Sequence, residues 1–242
     1  MNFTEFHDFL NTVMADNGFS TVADEDKSRK LYSLMDILLS TNKTMNLTAI
    51  TEEKSVVVRH FIDSLTVARF LPENAKIVDV GCGAGFPCLP LGVVRPDLSI
   101  LALDRTEKRI KYVKSTAEQL ELQHFDAIAA RAEEFGKSHR RESFDIATAR
   151  AVAALPALAE LCLPLVRVGG SFIAMKARRG EEELAAAERA IKRLGGEVVK
   201  IHHHTLLGDG EGEERLLIEV KKVKKTPDDL PRPWAKILKK PL

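Results

Sequence analysis

The chain has 242 residues, of which 45% are hydrophobic and 29% charged, with 14 Gly and 10 Pro. That length suits one large domain or a domain with an extension, and the composition excludes collagen-like, low-complexity and wholly disordered classes. The 36 basic and 35 acidic groups leave a net charge of +1, too small by itself to imply a nucleic-acid or membrane partner. Charge is unevenly spread, however: residues 1–74 hold 7 basic and 11 acidic groups, whereas residues 215–242 hold 9 and 3. A basic tail thus follows a near-neutral body. The cysteines, Cys82, Cys88 and Cys162, form no CxxC pair, which fits a reducing compartment better than a disulfide framework or a zinc cluster. The start MNFTEFHDFL carries Glu5, His7 and Asp8 and lacks the basic opening of a signal peptide. The most apolar window, 151–166, contains Pro156, Glu160 and Pro164 and falls short of the roughly 20 apolar residues that a membrane span needs. A cytoplasmic protein with no membrane partner is expected.

In chain order, Phe3, Phe6, Leu10, Val13 and Met14 recur at helical spacing, and the stripe stops at Asn17-Gly18, where a C-terminal glycine belongs. A second stripe runs through Leu31, Leu34, Met35, Leu38 and Leu39. A third starts at Thr51, a candidate cap followed by Glu52 and Glu53, which favour the positive end of a helix dipole, and continues through Val57, Phe61, Leu65 and Ala68. Residues 1–72 therefore read as a helical N-terminal extension packed on the remainder. From Ala75 the pattern changes. AKIVDV leads into a glycine loop and a helix, SILALD into a basic helix from Thr106 to Leu120, then come FDAIAA, FDIATA, a helix around Leu155 to Val166, SFIAMK and a helix from Glu181 to Leu194. This alternation predicts an α/β fold over residues 73–242: a Rossmann-like, mostly parallel sheet with helices on both faces. EVVKIHHHTLL and ERLLIEVKKV, separated by GDGEGEE, predict a hairpin that adds an antiparallel edge.

The sharpest local signal is Asp79-Val80-Gly81-Cys82-Gly83-Ala84-Gly85-Phe86-Pro87, leaving one strand and opening a helix. Glycines at such a turn let main chain approach a ligand where a side chain would collide. A dinucleotide fingerprint reads GxGxxG, but here the third glycine arrives one residue early, with Phe86 following it. An acid before the glycines and a bulky residue after them suit a nucleoside joined to a zwitterionic amino acid better than a diphosphate. Asp104 ends the next strand, placed to accept both ribose hydroxyls; taken alone, it also reads as a cap for the helix after Thr106. Arg131-Ala132-Glu133 ends the strand after that, where a backbone amide can face an adenine edge. Together these pieces point to S-adenosylmethionine as cofactor.

The sequence resembles the glucose-inhibited division protein B family, bacterial methyltransferases that form 7-methylguanosine in small-subunit (16S) ribosomal RNA. The resemblance rests on Asn46-Leu47-Thr48-Ala49-Ile50, His60-Phe61-Ile62-Asp63-Ser64-Leu65, the loop from Asp79 to Pro87 running on to Leu91, Leu103-Asp104 with Lys108-Arg109, Ala132-Glu133, Ala149-Arg150-Ala151-Val152-Ala153 and the closing Lys239-Lys240-Pro241-Leu242. It implies a class I methyltransferase fold with a helical N-terminal extension, and cofactor contacts at Gly81, Phe86, Ala132, Glu133 and Arg150, to which the glycine pattern adds Gly83 and Gly85. It also implies the 30S subunit or its RNA as partner; a monomer is expected. Cys88, Ala149 and Ala177 stand where the family commonly has glycine, serine and glycine.

Guanine N7 carries a free in-plane lone pair, so in-line attack on a sulfonium methyl requires no general base, and positioning dominates. Arg150 and Lys176, each ending a predicted strand, are candidates to hold guanine O6 or a phosphate; Arg150 is equally a candidate for holding only the cofactor or its loop. The segment Thr148-Ala149-Arg150-Ala151 lacks the Asn/Asp-Pro-Pro-aromatic tetrad of many adenine amine methyltransferases. Cys162 lies in an apolar helix pattern and reads as core rather than as a nucleophile. RNA phosphates are assigned to Lys176, Arg178, Arg179, Lys239 and Lys240, with a solvated helix face the plainer reading of the cluster at Arg105, Lys108, Arg109, Lys111 and Lys114. His202-His203-His204 does not complete a metal site, because only alternate residues of a strand share a side. His60 and Asp63, three apart, are expected to bond each other and dock the helices. Competing functions are methylation of a small molecule or a protein, and a silent RNA-binding module.

Overall fold

The computed structural model describes residues 1–19, 23–177, 180–208 and 210–242. Its first helix, α1 (Phe3–Asp16), begins with a capping box in which Asn2 and Glu5 satisfy each other's backbone N–H groups, and it ends at Asn17. The Asn17 amide then pairs with both the N–H and the C=O of Leu207, fastening the helix to a segment 190 residues further along the chain. α2 (Glu25–Met45) is capped by Asp24. The third stripe forms one rod whose winding changes along its length: α3 (Glu53–Val56), a π-helical stretch Val57–Ile62, α4 (Asp63–Leu65) and a 3-10 turn Thr66–Phe70. Glu52, not Thr51, caps it, because the Glu52 carboxylate reaches the N–H groups of Lys54 and Ser55. The π stretch falls on the residues that deliver Arg59 and His60 to the site, the kind of place where such windings concentrate.

The remainder alternates strand and helix: β1 (Lys76–Val80), α5 (Cys88–Val94), β2 (Ser99–Asp104), α6 (Glu107–Gln119), β3 (Phe125–Ala129), α7 (Ala132–Phe135), β4 (Phe144–Arg150), α8 (Leu155–Cys162), β5 (Val166–Ala177), α9 (Gly180–Arg193), β6 (Gly196–Leu206), β7 (Glu213–Lys222) and α10 (Trp234–Lys239). The strands form one seven-stranded sheet in the order β3-β2-β1-β4-β5-β7-β6. β1 to β5 pair in parallel, whereas β7 runs antiparallel to both β5 and β6. The expected hairpin is present and supplies the sheet's end, with its second strand inserted between the first and the parallel body. Strand order reverses between β1 and β4, so the carboxyl ends of β1, β2 and β4 open a crevice there.

Alternation along each strand sends side chains to two cores. Ile77, Ile100, Ala102 and Ile146 face the layer of α1, α2, α5 and α6. Val78, Val80, Leu101, Leu103, Ala147 and Phe172 face α8, α9 and α10. The helical extension thus shares the first core with the sheet through Phe6, Leu34, Phe61 and Leu65.

Candidate active site

The three glycines of the β1–α5 loop all have positive φ, +75° at Gly81, +57° at Gly83 and +90° at Gly85. They differ in what a side chain would meet. A Cβ on Gly85 would lie 2.3 Å from a Leu89 methyl, whereas in the direction of a Gly83 Cβ the nearest atom is the Gly81 carbonyl oxygen at 3.9 Å. Gly85 is therefore required by packing inside the protein, and Gly83 presents bare main chain to the cavity beyond. The loop is pinned to β2: Gly81 and Cys82 donate to the Leu103 carbonyl, and Gly83 donates to Asp104 Oδ2 at 3.1 Å.

Asp104 has a double place. Its Oδ1 accepts from Thr106 N at 2.8 Å, as a helix cap would, while the same carboxylate lines the cavity, with Arg109 3.8 Å away. A carboxylate has about four lone-pair sites, so the two backbone donors leave room for two hydroxyls. Asp79, the acid before the glycines, does not face the cavity. It is buried, accepts from Cys88 N and Thr148 Oγ1, and burial pushes its carboxyl up to about 6. Burial likewise raises the thiols of Cys88 and Cys162, and Cys162 sits wholly within the second core.

The cavity measures about 690 Å³ and is walled by Gly81 to Ala84, Phe86, Asp104, Ala132, Glu133, Arg150 and Val152. Every cofactor residue assigned from the sequence lines it except Gly85, whose part is internal. Among the further walls that the sequence did not assign are Thr48 and His60 from the extension and Trp234 and Leu238 from the tail. The signals were thin, a histidine amid apolar residues and a lone tryptophan among lysines.

His60 lies flat on Phe86, with centroids 4.4 Å apart and planes 9° from parallel. It does not bond Asp63. Its Nε2 meets Thr48 Oγ1 at 2.8 Å and its Nδ1 meets Arg150 Nη2 at 3.2 Å. Burial first, then the neighbouring Arg150 charge, depresses its pKa to about 3, so the ring is neutral, with Nδ1 accepting from Arg150. Asp63 turns instead to two arginines: Oδ2 accepts from Arg150 Nη1 and Oδ1 from Arg215 Nε, each at 2.9 Å. Residues three apart share a helical face, but the winding changes between these two, and the stronger charged partners lie across the fold.

Arg150 also donates to the Arg59 carbonyl and sits 5.3 Å above the Phe86 ring. It forms the wall between the first cavity and a second cleft of about 1090 Å³, lined by Arg59, Asp63, Lys176, Glu183, Glu213 and Arg215 among others. Lys176 is held there rather than extended to solvent: its Nζ donates to Ala153 O and pairs with Glu183, both at 2.7 Å, and its side chain is 9% exposed. Lys239 and Lys240 are exposed beside the first cavity's tail wall, whereas Arg178 and Arg179 lie outside the described residues. His202 packs against Phe70 and lies 3.5 Å from Glu219, and among the described residues no metal-holding group is formed. Nor, among them, is any helix long and apolar enough to cross a membrane.

A seven-stranded sheet with this order and a glycine-loop cavity at its reversal point defines a Rossmann-like, class I methyltransferase fold. Solved structures share it: the [4+2]-cyclase SpnF aligns with TM-score 0.56 at 15% identity, covering 81% of this chain and 95% of that one. TYW2 of M. jannaschii, in complex with AdoMet, aligns with TM-score 0.53 at 13% identity, over 67% of this chain and 75% of that one. Residues 27–208 match the family described as rRNA small subunit methyltransferase G, and the chain belongs to that family. Ribosomal RNA small subunit methyltransferase G of Staphylococcus carnosus is 43% identical over 226 residues, 92% of this chain and 93% of that protein. Its counterpart in Acetivibrio thermocellus is 40% identical over 228 residues, 93% of each.

Proposed function

We propose that this protein transfers the methyl group of S-adenosylmethionine to guanine N7 of 16S ribosomal RNA in the small subunit. The observation that carries the reading is the shared wall: a main-chain and carboxylate cavity meets, at His60, Arg150 and Val152, a second cleft with room for a base. The residues present fit the cofactor. Gly83 leaves space for close approach, Asp104 has acceptor capacity for the ribose hydroxyls, and Ala132 and Glu133 lie where the adenine edge would fall. Family membership and the AdoMet bound by a structural neighbour point the same way.

When bound, the cofactor supplies an electrophilic methyl on a positive sulfonium, and that charge passes to the methylated base, so no proton has to move. The chain's own residues accordingly serve as positioners. His60 is neutral and uses both ring nitrogens on Arg150 and Thr48, which suits a wall and not a base. Arg150 spends its guanidinium on Asp63, the Arg59 carbonyl and His60, holding Phe86 and the extension together at the meeting point. Lys176 fixes the loop at Ala153 behind that wall. Alignment of this kind is worth about 7 to 11 kcal/mol in well-oriented reactions. The exposed Arg105, Arg109 and Arg131 around the cavity mouth, with Lys239 and Lys240 on the tail, are suited to phosphates.

The test offers methyl-labelled S-adenosylmethionine with unmodified 30S subunits, naked 16S RNA and a pool of proteins and small metabolites. Label recovered as 7-methylguanosine after digestion of the RNA is the expected result. Label in another nucleoside refutes N7, and label in no RNA fraction refutes the rRNA assignment.

A further inference from the structure

We propose that Trp234 and Leu238 are binding residues for the adenosyl moiety, closing the adenine end of the donor cavity from the C-terminal tail. This rests on the reading that the cavity takes S-adenosylmethionine. A basic tail ordinarily suggests a loose arm, but this one is fastened along its length. Lys222 is fully buried and donates to Leu163 O at 2.6 Å and to Thr226 Oγ1 at 2.8 Å, with Glu142 at 3.1 Å balancing its charge. The Arg141 guanidinium gathers the carbonyls of Thr226, Pro227 and Leu230 together with that of Gly136. Glu160, fully buried in α8, accepts from Arg232 three times, at the backbone N, Nε and Nη2, over 2.6 to 2.8 Å. The chain therefore enters α10 from a fixed point.

Within α10, Ile237 is fully buried in the second core. That anchors the helix's rotation, and Trp234 and Leu238, four apart on one face, are then aimed together at the cavity they line. Leu238 is 56% exposed. A single exposed leucine means little. Its place gives it meaning: beside an indole, on a braced segment, in one cavity with Asp104, Ala132 and Glu133. Those residues offer polar partners to the ribose and the purine edge, and a purine also presents two apolar faces to be covered. An indole and a leucine provide that cover, much as nucleobases stack on aromatic side chains elsewhere.

The chain holds one tryptophan, so the unmodified protein carries its own reporter. The full chain is titrated with S-adenosylhomocysteine, with calorimetry alongside tryptophan emission and acrylamide quenching. Heat of binding accompanied by shifted emission and at least twofold weaker quenching, with one Kd from both methods, is expected. Leu238→Ala and Trp234→Ala should each weaken binding about tenfold, the scale of one base-stacking contact. Should Trp234→Ala melt early, Leu238→Ala, at an exposed position, decides alone. Heat with unchanged emission and quenching, or wild-type Kd in Leu238→Ala, overturns the proposal and leaves the cofactor reading standing. No heat from folded protein overturns the cofactor reading and this one with it.

Discussion

The two cavities that meet at Arg150 are built from different materials. The first is a cradle of main chain: three glycines, a loop pinned to β2, and a carboxylate that accepts from two backbone N–H groups. The second is a lattice of paired charges, in which Asp63 joins Arg150 to Arg215, Glu213 joins Arg215 to Arg59, and Lys176 joins Glu183. A main-chain cradle fails when a side chain is added to it; a charge lattice fails when a charge is taken away. The two regions should therefore respond to opposite kinds of substitution.

Gly85→Ala is the strongest test of the first half of that contrast. The new Cβ would collide with Leu89 at 2.3 Å while φ stays at +90°, so strain and overpacking together should cost about 2 to 4 kcal/mol. Urea unfolding should show that loss, and S-adenosylhomocysteine binding should disappear. Gly83→Ala sharpens it, because that Cβ points into open space and only the +57° φ is strained: stability should drop by about 1 to 2 kcal/mol while the added methyl weakens ligand binding. Equal stability losses in the two variants would break the distinction between packing glycine and cavity glycine.

Asp63→Asn probes the lattice. It leaves Arg150 and Arg215 without their shared anion in a setting where the side chains concerned are 10 to 17% exposed. A loss of about 2 to 3 kcal/mol is expected, below that of a fully buried pair. Turnover should fall with it as Arg150 loses its anchor, while S-adenosylhomocysteine affinity changes less than threefold. Affinity falling as far as turnover would assign Asp63 to the donor cavity after all.

This contrast also explains what the sequence made legible. Glycine spacing, an acid ending the next strand and the alternation of runs are local signals, and β1 to β5, their order of appearance, Gly83, Asp104 and Glu133 follow from them. The lattice is not local: Asp63 meets Arg150 87 residues away and Arg215 152 residues away. A spacing rule pairs Asp63 with His60 instead, and it fails because a π stretch changes the winding and arginines offer charge. Asp79, the acid before the glycines, reads from the sequence as part of the ligand loop, yet strand alternation turns it inward onto Cys88. The tail's place over the cavity depends on Arg232 finding Glu160, 72 residues back, which composition does not disclose.

One titrating pair spans both materials, and its members should pull in opposite directions. His60 is depressed from 6.5 to about 3, so its contribution is whole above pH 6.5 and is lost as pH falls toward 3. Asp79 is raised from 3.8 to about 6, so its contribution is whole below 3.8 and is lost as pH rises through 6. Between pH 4 and 6 the two nearly cancel in the intact protein. Removing one uncovers the other: relative to wild type, Asp79→Asn should gain stability with rising pH and His60→Gln should lose it, each by about 1 kcal/mol per pH unit. Urea midpoints at pH 4.5, 5.5 and 6.5 would show this, and parallel trends in the two variants would contradict it.

The smallest expected effect separates charges that brace the protein from charges proposed to meet RNA. Arg215 spends its guanidinium on Asp63 and Glu213, whereas Lys239 and Lys240 are exposed at the end of α10. Taking one lysine away from an RNA phosphate should lower the slope of log affinity against log salt by about 1. Lys239→Ala combined with Lys240→Ala should then flatten the salt dependence of 30S binding by about 1 to 2 while leaving the thermal midpoint in place. Arg215→Gln should do the reverse, lowering the midpoint with the slope nearly unchanged. If the lysine variant keeps the wild-type slope, the tail belongs to the donor cavity alone, and the phosphates must be met by the arginines around its mouth.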